Sequence, residues 1–120
     1  MTPDEMKALT KMFALVILKL GDELPKSTAG RVLANQLIRA GTSVAANYRA
    51  ACRARSRAEF ASKIGNVEEE ADESAFWLEL SKEAGLLAEE KIRPLWQEAD
   101  ALTRIMVASG RTAQPRQKKQ

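Results

Sequence analysis

The chain has no histidine, one cysteine, one tyrosine and two tryptophans among its 120 residues, and each scarcity removes a class of function. Without imidazole it lacks the commonest general base, and it lacks the Glu-x-x-His pairs that hold metals inside helical bundles. The lone Cys52 cannot close an intramolecular disulfide and has no histidine to deprotonate it. It reads as a small buried or half-buried thiol in a reducing compartment. Aromatics make up only 5% of the chain, and β-branched residues are not gathered into runs bounded by glycine or proline. The longest apolar run, Met12 to Leu18, is far too short to span a bilayer. Acidic residues flank it at Asp4, Glu5, Asp22 and Glu23, unlike the basic start and small-residue cleavage site of a secretion signal. A cytoplasmic protein with no membrane partner is expected.

Catalytic constellations are equally sparse. There is no glycine-rich phosphate loop and no serine or cysteine nucleophile beside a plausible base. Glu69, Glu70 and Glu73 lie close together on one predicted helix, and carboxylates suit hard cations, but no histidine completes a bundle metal site. The chain is read as a non-enzyme that needs no cofactor.

What is abundant is Ala, Leu, Glu, Lys and Arg, a composition biased to helix. One domain of this length buries a real core without staples. Thr2-Pro3-Asp4-Glu5 opens a first helix with a capping residue, a proline at the first helical position and a glutamate three residues after the cap. Met6, Leu9, Phe13, Val16, Ile17 and Leu20 then recur at three-four spacing as a core-facing stripe, and Gly21 to Pro25 ends the helix. A second helix is predicted from Ser27 to about Ala51, with Leu33, Leu37, Ala40, Val44, Tyr48 and Ala51 on one face at about 100° per residue. Gly41 inside it costs about 1 kcal/mol relative to alanine, which a close approach of another backbone would offset.

Ser56-Arg57-Ala58-Glu59 is a second capping signature. It predicts a third helix ending near Ala84, with Gly85 as its stop. Phe60, Ile64, Val67, Ala71, Ser74 and Leu78 form its seam, while Trp77, Leu80 and Ala84 lie on another side, so this helix asks for two partners. A fourth helix, from Ala88 to about Ser109, carries Ile92, Leu95, Trp96, Ala99, Leu102, Ile105 and Met106. Pro94 is tolerable if it lies in or near the first turn; otherwise it should kink the helix there. Gly110 ends it, leaving residues 111–120 as a basic tail expected to be disordered. The fold expected is an all-α, up-down-up-down antiparallel four-helix bundle over residues 1–110.

A net charge of +3 conceals strong polarisation. Seven basic residues between Arg31 and Lys63 face a single acid, Glu59, whereas residues 64–90 hold nine acids against Lys82. Arg49, Arg53, Arg55 and Arg57, extended by Arg116, Lys118 and Lys119 in the tail, are the candidate contacts to nucleic acid. Guanidinium forks suit phosphate oxygens. No aromatic residue interleaves them, so recognition would be of the backbone and not of stacked bases. Beside the apolar face of the second helix runs a polar row of Gln36, Ser43 and Asn47 with Arg39 at its edge. Together with Glu70, Glu73, Trp77 and Leu80 these are the candidate contacts between helices or subunits. The basic second helix and acidic third helix can meet across a heterologous interface in a homo-oligomeric ring; the alternative is that they neutralise each other within one monomer or face water. The rival expectation is a scaffold without nucleic-acid binding, its charged helices serving assembly.

Three words, QLIRAGTSVAANY (Gln36 to Tyr48), SRAEFASKI (Ser56 to Ile64) and EADESAFWLELSKEAGLL (Glu70 to Leu87), resemble the family of four helix bundle proteins, also called ribosomal RNA intervening-sequence proteins. Gln36, Leu37, Arg39, Ala40, Ser43 and Asn47 match its pattern; its Glu-Gly pair is replaced here by Ala50-Ala51, so no role for that acid carries over. The resemblance implies a bundle assembled as a ring, typically a homopentamer. It also implies a link to ribosomal RNA intervening sequences and a likeness to accessory proteins of diversity-generating retroelements, whose partners are nucleic acid and a reverse transcriptase. A reverse transcriptase or a ribosomal component is therefore the protein partner the resemblance suggests.

Overall fold

The computed structural model describes residues 1–113 as four helices, α1 (Pro3–Asp22), α2 (Thr28–Ala51), α3 (Arg57–Glu83) and α4 (Glu89–Ala113). Their starts follow from side-chain chemistry. Thr2 Oγ1 accepts from the Glu5 amide at 3.1 Å and donates to the Glu5 carboxylate at 3.1 Å. Ser27 Oγ accepts from the Gly30 amide at 3.1 Å and Ser56 Oγ from the Glu59 amide at 3.0 Å. Each occupies an amide that the first helical turn leaves without an intrahelical partner. At the end of α3, Gly85 has φ 73°, its amide bonds Lys82 O at 2.9 Å and the Leu86 amide bonds Ser81 O at 3.0 Å. That paired arrangement closes the last turn and needs the left-handed conformation glycine adopts most cheaply.

The helices run antiparallel in chain order. Ile17 lies against Gly41 and Ile38 against Gly21, Arg39 meets Glu70 and Glu73, and Arg57 reaches Thr112 while Lys82 reaches Glu89. Thus α1 packs on α2, α2 on α3 and α3 on α4, α1 approaches α4 only sparsely, and the two diagonal pairs, α1 with α3 and α2 with α4, have no close backbone approach. The core is one cluster that includes Phe13, Ile17, Leu37, Val44, Ile64, Val67, Leu78, Leu102 and Met106, all essentially inaccessible. Ser74, Ser81 and Thr10 are buried too, their hydroxyls bonded to the carbonyls of Glu70, Trp77 and Met6 four residues earlier, so no hydroxyl is stranded in the core.

The face expected of α2 is buried throughout. Two expectations change. Val16 is 38% exposed, and its place at the α1 core is taken by Thr10 and Ala14. Helix α4 continues through Gly110 to Ala113, so residues 111–113 belong to the helix; the rest of the expected tail, with Arg116, Lys118 and Lys119, lies outside the described residues. Pro94 stands in the second turn of α4, which continues past it, leaving the Glu90 carbonyl without its intrahelical amide. At Gly41 the neighbouring helix α1 comes close through Ile17: a Cβ at Gly41 would fall within 2.6–2.9 Å of three Ile17 side-chain carbons, its Cβ among them.

Candidate nucleic-acid interface

Because the helices alternate, the C-terminus of α2, the N-terminus of α3 and the C-terminus of α4 meet at one end of the bundle. Arg49 stands in the last turn of α2, and Arg53 lies just past its C-cap Cys52, in the turn that leads to α3. The α2 end tightens, with the Arg53 amide bonding Ala50 O and the Ala54 amide bonding Ala51 O, both at 3.0 Å, and this carries Arg55 round toward α3. There, Lys63 follows Glu59 by one turn. Arg49, Arg53, Arg55, Glu59 and Lys63, with the small Ala46 and Ala50, line one open cleft of about 440 Å³. Four cations against one carboxylate, spaced by methyl groups, leave room for an anion between long donors. The carboxylate is fixed: Glu59 Oε2 accepts from the Arg55 amide at 3.2 Å, and the Glu59 amide is held by Ser56.

Arg57 does not line this cleft. Its guanidinium donates to Thr112 O at 3.0 Å, neutralising the partial negative charge at the end of α4 and filling one of its unpaired carbonyls. Arg57 therefore acts as a strap joining α4 to α3. Lys63 and Glu59, not among the residues singled out from sequence, belong to the cleft. The signal was present in their spacing of four from one another, which puts both on the face where Arg55 arrives. Cys52 is half-buried one turn after Tyr48, whose phenol is pushed up to about 12 by burial and then by the neighbouring thiol.

The polar row leads to a different feature, midway along the α2–α3 seam. The Gln36 side chain accepts from Arg39 Nε at 3.3 Å, Arg39 bonds Glu70 at 3.2 Å and pairs with Glu73, and Glu73 also accepts from Trp77 Nε1 at 3.1 Å. Ser43 and Asn47 stand half-buried farther along the row, and Leu80 is exposed. For Arg39, Glu70 and Glu73, of the two expected arrangements of basic and acidic helices it is the one inside a single chain that is made. The Arg39 hydrogen bond holds the Glu73 carboxyl below its ordinary range. Because that shift is downward, the pair stabilises the fold at neutral pH and loses its contribution as pH falls through the carboxylate range. Glu73→Gln is expected to lower stability by up to about 1 kcal/mol near neutral pH. In urea titrations the difference from the parent should vanish in acid; a difference that persists unchanged there would contradict the assignment.

Among the described residues no three His, Cys, Asp or Glu side chains are grouped to hold a metal ion, and no helix is long and apolar enough to cross a membrane. Fold and cleft together define a small all-helical bundle with a basic end.

The chain belongs to the 23S rRNA-intervening sequence protein family, whose model matches residues 5–108. It is similar to a crystal structure of a protein of unknown function from the S23 ribosomal protein family of Bacteroides thetaiotaomicron. The two are 28% identical with a TM-score of 0.84, over 92% of this chain and 99% of that one. No curated protein matches it in sequence.

Proposed function

We propose that this protein is a non-enzymatic accessory factor of the cytoplasm that binds the phosphodiester backbone of RNA or DNA at the basic end of its bundle. The observation that carries the reading is the convergence of Arg49, Arg53, Arg55 and Lys63, from two helices and the turn between them, on one open cleft. Neutralising phosphates releases condensed counterions, so such a cleft contributes affinity without reading sequence. The family's link by name to 23S rRNA favours RNA as the first ligand to test. The protein partner consistent with this role is one already on nucleic acid, a ribosomal component or a reverse transcriptase. The acting form is a homo-oligomeric ring, pentameric by the family resemblance, which repeats the cleft and adds avidity.

Fluorescence anisotropy with a short labelled RNA and its DNA counterpart tests the reading, and Glu59 gives it a sign. The Glu59 carboxylate occupies the cleft that a phosphate would enter, so removing its charge removes a repulsion of about 1 kcal/mol at contact distance in water. Glu59→Gln is expected to tighten binding severalfold at low salt, with the gain fading as salt rises. Weaker binding by Glu59→Gln would mean that this carboxylate orients the cleft and does not compete for it.

A further inference from the structure

Arg57 leaves the cleft that holds Arg49, Arg53 and Arg55 and lines a second one. The first cleft lies on the α2 side of α3; the second, of about 490 Å³, opens between the start of α3 and the end of α4. Its lining is Arg57, Phe60, Ala108, Ser109, Thr112 and Ala113, so its chemistry differs from that of the first. One guanidinium stands among an aromatic ring, methyl groups and two hydroxyls. Phe60 is half-buried and packs against the core cluster, which braces it from behind. Arg57 donates to Thr112 O at 3.0 Å, which fixes the guanidinium at the cleft wall, and Thr112 Oγ1 donates to Ala108 O at 3.0 Å. No aromatic residue lies within the arginine run of the sequence, yet the fold sets Phe60 beside it.

We propose that the α3–α4 cleft takes an unstacked base of a single strand whose phosphates lie in the basic cleft, with Phe60 as the stacking face and Arg57 beside it. The inference rests on the nucleic-acid reading above and names the form of its ligand, single strand over duplex. Splayed bases stack on aromatic rings and on guanidinium planes, and every base has such a face, so the contact tolerates any sequence. In a duplex those faces are stacked on one another and closed to the protein. The reach is short. Glu59 and Lys63 face the first cleft and Arg57 and Phe60 the second, from the first two turns of one helix, so about one helix diameter, about 10 Å, separates them. A stacked strand covers that distance in about three nucleotides, at about 3.4 Å each, and an unstacked one in fewer.

The test uses the full chain and anisotropy at low salt with labelled RNAs of about ten nucleotides. The probes are single-stranded oligouridylate, whose bases stack little on one another, an abasic strand of the same length and charge, and a mixed-sequence duplex. The parent is expected to bind oligouridylate about five- to tenfold more tightly than the abasic strand, the lower part of the range for one stacked base. Phe60→Leu keeps an apolar side chain but removes the ring face. It should erase that preference while leaving the affinity for the abasic strand and the duplex, and the salt slope, unchanged; Phe60→Tyr should retain the preference. Melting curves check folding, and if Phe60→Leu does not fold, Ala108→Leu, at an exposed position of α4, fills the cleft and should have the same effect. A parent that binds the two strands equally, a preference that survives these substitutions, or a loss shared by the abasic strand would overturn the base cleft and leave the phosphate reading standing. Binding to none of the three RNAs would overturn both.

Discussion

Replacing Arg49, Arg53 and Lys63 together by alanine is expected to weaken RNA binding about 10- to 100-fold at moderate salt, and to flatten the dependence of log affinity on log salt by about two to three. The second quantity is the more diagnostic. Each lysine or arginine that neutralises a phosphate contributes slightly less than one to that slope, so a triple variant that loses affinity with an unchanged slope has lost shape and not phosphate contacts. Arg49 and Arg53 are exposed and Lys63 half-buried at its rim, and none closes an ion pair among the described residues, so stability should move by no more than about 0.5 kcal/mol per position. Arg57→Ala is the informative contrast. Its guanidinium is committed to Thr112 O, and the substitution should loosen the end of α4 with a smaller effect on binding than any pair from the cleft.

The largest effect on folding is expected at Gly30. A Cβ there would fall 1.9 Å from the carbonyl oxygen of Pro25 and 2.8 Å from its carbon. Backbone cannot step aside as a side-chain tip can, so Gly30→Ala must pull the first turn of α2 away from the α1–α2 connection and disturb the Ser27 cap. A loss of about 3 kcal/mol is expected, seen as a fall in melting temperature of about 10 °C or more. Gly41→Ala meets only the Ile17 side chain and should cost less. Combined with Ile17→Ala it should show coupling, the double variant losing less than the sum of the singles. Gly65 supplies the control: nothing lies within 4 Å of its would-be Cβ, and in mid-helix its change to alanine should stabilise by up to about 1 kcal/mol.

The helical faces differ in how far sequence exposes them. In α2 only one side is apolar, so the three-four spacing of Leu33 through Ala51 can mean only the core. In α1, apolar residues occupy nearly the whole circumference from Met12 to Leu20, and periodicity cannot separate Val16 on the outer strip from Ala14 on the inner face. Phe76 is lost to the same ambiguity, because Trp77 and Leu80 already satisfy the search for a second side of α3. Within the candidate site, Arg49 follows from helix geometry alone, while Arg53 depends on how the end of α2 tightens. Arg55 and Arg57 do not follow from it either, since they flank a turn, and a two-residue offset there sends one guanidinium into the cleft and the other to α4. The Arg39 network is half visible: Gln36 with Arg39 and Glu73 with Trp77 are legible as local spacings, but their meeting depends on the register of α2 against α3, which no local pattern encodes.

The central claim is that the basic end of this bundle holds phosphodiester backbone, and salt tests it most directly. Anisotropy of labelled RNA against the parent protein, titrated from about 50 mM to about 300 mM monovalent salt, should give a straight decline of log affinity on log salt with a slope of about −2 to −4. Absence of binding at the lowest salt, or an affinity that does not change across the range, would contradict it.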